Sequence, residues 1–108
     1  MKLPPDTIIA TTKLDEYLLR HRDEDDKSGF LALAGYTLEN VDRLLNDLRT
    51  QLLPLDAEFF DQTEYGAKYQ IRGTLTGPNG RVLPVVSIWM KEDATGKAKF
   101  VTLFPDKS

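Results

Sequence analysis

There is no cysteine among these 108 residues. That excludes disulfide staples, zinc ribbons, iron–sulfur clusters and a thiol nucleophile together. Histidine is nearly as scarce, with His21 standing alone. No apolar run approaches the ~18–20 residues that a membrane helix requires. Met1-Lys2-Leu3-Pro4-Pro5 has no signal-peptide core behind it, so a cytoplasmic location is the expectation. Nor is there an excess of positive charge. Fourteen Lys and Arg against seventeen Asp and Glu leave a net charge of −3, which argues against avid nonspecific nucleic-acid binding. Linkers, internal repeats and low-complexity tracts are missing as well. What remains suits one domain over 1–108, long enough to bury one core without staples.

The first half carries helical patterning. Pro4-Pro5-Asp6 reads as an extended lead-in, and Thr7-Ile8-Ile9-Ala10 as a short strand or a segment lying against the core. Thr12 resembles an N-cap, with Asp15 completing a shortened capping box. Leu14, Tyr17, Leu18 and His21 then form one helical stripe. Arg22-Asp23-Glu24-Asp25-Asp26 has no apolar residue and reads as a solvated loop whose last member caps a second helix, Lys27 to Ala34. Gly35 suits the left-handed position that ends it. Thr37 caps a third helix from Leu38 to about Leu52. There Val41, Leu44, Leu45, Leu48 and Leu52 face one way, while Glu39, Asp42, Arg43, Asn46, Asp47 and Arg49 cover the other side. Pro54 stops it.

Beyond Pro54 the period changes. Ala57 to Asp61 reads as a strand. Tyr65-Gly66 turns the chain, and Lys68 to Leu75 alternates strictly, with Tyr69, Ile71 and Leu75 on one face and Lys68, Gln70, Arg72 and Thr74 on the other. Gly77-Pro78-Asn79-Gly80 closes a hairpin. Arg81 to Lys91 is apolar on both sides, the mark of a central strand, and Pro84 fits it only near its start, at an edge or at a bulge. Asp93-Ala94-Thr95-Gly96 turns again into a last strand, Lys99 to Phe104, ended by Pro105. The order predicts an α+β fold: two or three N-terminal helices, over about 12–53, on one face of a four-stranded antiparallel meander, over about 56–105. The third helix is expected to lay its leucine stripe across that face.

Several groups invite a chemical reading. The acidic run Asp23 to Asp26 lacks the alternating carboxylates, central glycine and distal glutamate of a calcium loop, so a solvated, capping loop fits better. His21 sits where a helix dipole favours it; the serines are Ser28, Ser87 and Ser108, and no nucleophile elbow surrounds Ser28, seven residues beyond His21. Gly73-x-x-x-Gly77-Pro78-Asn79-Gly80 has no Gly-Lys-Ser/Thr and no following helix, which makes it a turn and not a phosphate cradle. Lys27 lies in the first turn of a helix, where the dipole disfavours a cation. That placement fits either a functional constraint or an ion pair with Asp23 or Asp26. No metal site and no cofactor are expected.

The polar sheet face is the best binding candidate, through Lys68, Gln70, Arg72 and Trp89. Lys99 joins them, with either Thr102 or Trp89 beside it according to register. Sheet-type nucleic-acid sites combine cations with exposed aromatics. An ordinary solvent-facing sheet needs no ligand, and that reading is preferred.

Leu14-x-x-Tyr17-Leu18-Leu19, Asp26-Lys27-Ser28-x-Phe30-Leu31, Ala34-Gly35-Tyr36-Thr37, Tyr65-Gly66, Gly73-x-Leu75-x-Gly77-Pro78-Asn79-Gly80, Ile88-Trp89 and Phe100-Val101-Thr102-Leu103-x-Pro105 together resemble a family of small bacterial domains of unknown function. The resemblance runs from Pro4 to Pro105. Members stand alone or end large polymorphic-toxin-like proteins, and the resemblance implies no established activity. A looser similarity is to ribonuclease toxins of the barnase/RelE-type fold, which place helices before a four-stranded antiparallel sheet. It implies RNA on the sheet face, with Lys27, Arg72 and Thr102 as the catalytic candidates. Toxin-linked relatives carry a His-Pro and a Gly-Lys where this sequence reads His21-Arg22 and Asp26-Lys27.

The function expected is a non-enzymatic binding or protein-interaction module, and the alternative is a ribonuclease or degenerate nuclease. A sheet edge at Phe59-Phe60 or at Val101 is the expected contact for a second copy or another protein. Neither a membrane nor nucleic acid is expected as a partner.

Overall fold

Two hydrogen-bonding regimes meet near Pro54, and each follows from the side-chain period on its side. The computed structural model describes residues 1–20 and 27–107. His21, the acidic run and the Asp26 cap expected from the sequence lie outside the described residues, as does Ser108.

Helix α1 is an α-helical turn, Thr11–Lys13, running into a wider turn, Leu14–Leu18. It starts one residue ahead of Thr12. Ala10 is the N-cap and its methyl offers no acceptor; the Lys13 N–H donates to the Ala10 carbonyl at 3.0 Å, so Thr12 is already inside the helix. The Thr12–Asp15 box therefore does not form. The wider turn closes with the Leu19 N–H donating to the Leu14 carbonyl at 2.8 Å, a π-type spacing, and it buries Leu14, Leu18 and Leu19 together.

Helix α2, Lys27–Ala32, ends as expected at Gly35, whose φ of 94° is open to glycine at no steric cost. The Gly35 N–H reaches the Ala32 carbonyl at 2.9 Å and the Tyr36 N–H the Leu31 carbonyl at 3.2 Å, the paired bonds of a Schellman ending. Helix α3 opens with a 3₁₀ turn, Leu38–Asn40, continues as Val41–Asp47, and finishes in a second π-type turn, Leu48–Leu52. Thr37 caps it: its hydroxyl accepts from the Glu39 N–H, and the Asn40 side chain reaches back to the Thr37 N–H at 2.8 Å.

The expected stripe holds in its centre. Leu44, Leu48 and Leu52 are fully buried, whereas Val41 and Leu45 are only partly so. The wide turn brings Leu53 onto the same face. Asp47 departs from its expected place on the solvent side and is buried. Its partner is the Tyr36 phenol, which the Schellman ending turns towards α3.

Strands β1 (Glu58–Gln62), β2 (Gly66–Thr76), β3 (Val82–Glu92) and β4 (Ala98–Pro105) form one antiparallel sheet in chain order. Rows across it set the faces. Tyr69, Ile71, Gly73 and Leu75 of β2 stand opposite Trp89, Ser87, Val85 and Leu83 of β3, and this face packs on the helices. Added Cβ atoms make the closeness concrete. One on Gly73 would lie 2.7 Å from Leu55 and 2.9 Å from Leu52, and one on Gly77 would lie 2.1 Å from the Ala34 carbonyl oxygen. Trp89 packs edge-on against Phe100 at 5.2 Å. Its indole N–H donates to the Ser87 hydroxyl at 2.8 Å, which donates on to the Ile71 carbonyl at 3.0 Å. A buried indole needs such an acceptor.

The hairpin tip at Pro78-Asn79 also serves α2. The Asn79 backbone N–H reaches the Ala34 carbonyl at 3.2 Å and its side-chain amide the Leu33 carbonyl at 3.0 Å, satisfying carbonyls that a helix end leaves open. Pro84 sits near the start of β3, opposite Thr74, where a strand tolerates the missing N–H. Among the described residues, no helix is long and apolar enough to cross a membrane.

Candidate functional site

The sheet face away from the helices is built from rows set by register. Lys68, Met90 and Lys99 form one; Gln70, Ile88 and Thr102 the next; Arg72, Val86 and Phe104 a third. Glu58 and Asp61 of β1 extend the rows at Gln70 and Lys68. Val86, Ile88 and Met90 are nearly buried although no helix covers them. The long aliphatic stems of flanking Lys and Arg side chains can shield such a strip while their charged ends stay in water.

Two cations on this face have carboxylate partners. Arg72 meets Asp106 at 3.3 Å, Lys99 meets Glu92 at 3.2 Å, and the Gln70 amide reaches Glu58 at 3.5 Å. A phosphate backbone would have to displace these carboxylates. A shallow hollow of about 460 Å³ opens at one end, between Arg72, Val86, Phe104 and Asp106.

Of the sequence candidates, Lys68, Gln70 and Arg72 do share this face, with Thr102 and Lys99. Trp89 does not. It stands on the helix face with no exposed surface, because the β2–β3 register sets it opposite Tyr69; the shifted register against β4 then brings Phe100 beside it. Lys27 lies in the helical layer instead. Its ammonium donates to the Tyr17 hydroxyl at 2.9 Å and stands 5.0 Å from the centre of that ring. The sheet therefore separates Lys27 from Arg72 and Thr102, and the three candidates for RNA cleavage do not converge. The expected ion pair of Lys27 with Asp23 or Asp26 falls outside the described residues.

A buried polar cluster went unnoticed in the sequence. The Tyr36 phenol donates to Asp47 Oδ2 at 2.6 Å, the Arg43 Nε–H donates to the same oxygen at 2.8 Å, and the phenol also faces the Thr76 carbonyl at 3.3 Å. Burial first, then the bond to Asp47 and its charge, pushes the Tyr36 hydroxyl well above its ordinary pKa of 10.0. Tyr36 at the end of a helix and Asp47 on a polar stripe carried no joint signal. The cluster ties α2, α3 and β2 together.

The sheet edges are the second notable feature. Along β4, the Ile8 N–H donates to the Ala98 carbonyl at 2.9 Å and the Phe100 N–H donates to the Ile8 carbonyl at 2.8 Å, a single parallel bridge beside Lys99. A bulge next to it leaves Val101 unmatched. Beside β1, the Ala57 N–H donates to the Met1 carbonyl at 2.6 Å and Lys2 bridges Asp56. From Glu58 to Gln62, no segment among the described residues covers the outer edge. All five residues are exposed, and Phe59, Phe60 and Tyr65 are exposed to 58%, 46% and 68%. Phe59 leans edge-on against Tyr69 at 5.9 Å, while Phe60 is the extra residue of a bulge.

No curated protein and no solved structure gives a significant match to this chain. The helix-then-meander order, the Gly35 helix ending and the glycine-bounded hairpin docked upon it run through the region matched by one family model, residues 4–107, and the chain belongs to that family, the domain of unknown function DUF6883.

Proposed function

We propose that this domain is a protein-interaction module that takes an extended segment of another protein onto the outer edge of β1. The observation that carries this reading is the difference between the sheet's edges: β4 is met by the chain's own Ile8 between Ala98 and Phe100, whereas Glu58–Gln62 has no partner among the described residues and exposes aromatics. Strand addition supplies affinity through main-chain bonds and specificity through alternate side chains. Exposed flat edges are a hazard that folded proteins ordinarily blunt. The bulge and carboxylates of β1 limit unselective pairing, while exposed Phe59 and Phe60 suit contact with a selected partner.

The alternative, RNA cleavage, has weaker support. Its candidates Lys27 and Arg72 lie in different layers, and two cations of the open face, Arg72 and Lys99, are already matched with carboxylates.

A displayed library of random extended peptides, selected on the purified domain, tests the proposal. Enriched peptides should slow amide exchange at Glu58–Gln62 and lose binding to Phe59→Ala. Peptides whose binding leaves those amides unchanged would overturn it. Cleavage of total RNA, abolished by Arg72→Ala, would move the reading to the alternative.

A further inference from the structure

We infer that the segment accepted by β1 is basic: a strand of another protein in which Lys or Arg alternates with apolar residues. The inference rests on the strand-addition reading above and adds the partner's chemistry. From Asp56 to Glu64 the chain holds Asp56, Glu58, Asp61 and Glu64 and no Lys or Arg. These nine residues thus carry −4, against −3 for the entire chain. Asp93 adds a further carboxylate at the end of the strand, held there by the Gln62 amide at 3.2 Å. The cation in register is Lys68, opposite Asp61 and one strand further in.

Register decides where the partner's charges would go. Glu58 and Asp61 stand in the rows of the open face, while Phe59 stands opposite Tyr69 on the other face. Side chains directly opposite one another on paired strands come within about 5 Å, where unlike charges attract and like charges repel. A strand laid along β1 therefore gains from cations on the side of Glu58 and Asp61 and from apolar groups on the side of Phe59. Alternation in the strand provides both at once.

The same charges oppose pairing with a second copy. Two β1 strands matched antiparallel about Phe60 would bring together two edges, each with four carboxylates. Charge on an exposed edge is a known guard against self-association. Here it excludes the chain itself and admits a strand of opposite sign.

The test uses two synthetic seven-residue peptides, one alternating Lys with Val and one alternating Glu with Val, titrated into isotope-labelled full-length chain. The Lys peptide should slow exchange of the Glu58–Gln62 amides and bind at least tenfold more tightly than the Glu peptide. Raising salt should weaken it. Glu58→Lys combined with Asp61→Lys should invert the preference; because β1 is exposed throughout, the double variant should fold, and Glu58→Lys alone serves if it does not. Equal or tighter binding of the Glu peptide at the same amides would overturn the basic partner while leaving strand addition standing. Failure of both peptides to protect those amides would overturn both readings. So would Lys-peptide shifts confined to other acidic surfaces, since that is binding of a polycation only. A dimer forming through β1 in sedimentation would overturn the proposed partner.

Discussion

The two edges of this sheet end in different ways, although each strand carries a bulge, at Phe60 and at Val101. β4 lies beside the N-terminal lead-in, where one residue, Ile8, gives and takes a main-chain hydrogen bond. Among the described residues, β1 is met only at its entrance, at Asp56 and Ala57, and its five residues have no partner on the outer edge. Their chemistry follows the same division. Ala98 and Phe100 of β4 are buried, whereas β1 shows water two phenylalanines and two carboxylates. One edge is engaged at a single residue of the lead-in, and the other has no partner along Glu58–Gln62 among the described residues.

The largest effect should come from a change that undermines both edges equally. Leu48→Ala removes a fully buried side chain from the helical layer and should cost about 2–5 kcal/mol, read as a lower urea midpoint with protection lost on both edges together. A loss confined to one edge would break the idea of a common support. Next comes Tyr36→Phe, expected to cost about 1–3 kcal/mol because Asp47 keeps only Arg43 as a partner. Its pH signature is distinctive. The unfolded phenol ionises near 10.0 and the folded one is held higher, so the stabilisation is complete below pH 10 and drains away as pH rises above it. Urea titrations at alkaline pH should show that decline in the natural protein and a flatter profile in Tyr36→Phe.

Ile8→Pro separates the edges. It deletes the donor to Ala98 and should cost about 1–2 kcal/mol. Exchange of the Phe100 amide should quicken while β1 stays unchanged. Unaltered Phe100 protection would mean that its bond to the residue 8 carbonyl, which proline keeps, holds the lead-in without the Ile8 N–H. Smallest in stability is Phe59→Ala, at about 1 kcal/mol or less given its exposure and its contact with Tyr69. Its expected consequence is loss of strand binding. A variant that melts normally and binds peptides normally would remove Phe59 from the site.

Much of the fold could be read in the chain, for reasons of period. Lys68 to Leu75 alternates so strictly that its two faces follow from counting, and the structure agrees residue by residue. Leu44, Leu48 and Leu52 repeat at helical spacing and lie buried. Gly35 and the Gly77–Gly80 turn are signals carried by single residues whose backbone freedom others lack. Trp89 shows where such reading stops. A strand apolar on both sides gives no parity, so only the register with β2, which sets Trp89 opposite Tyr69, placed the indole on the inner face. Asp47 is similar: its polar neighbours placed it in water, and a phenol eleven residues earlier drew it in. Thr12 looked like a cap, but the helix begins at Thr11 behind Ala10, which leaves Thr12 inside its first turn.

Sequence alone settled the helical and pleated halves and their order, because local period and turn residues act over a few positions and need no distant partner. It also fixed the charges on Asp56 to Glu64. Tertiary structure decided which strand edge stays open, which face hides Trp89, and that Lys27 and Arg72 lie in different layers. Those outcomes depend on strand register and on where the lead-in docks, and both are set by contacts between residues far apart in the chain.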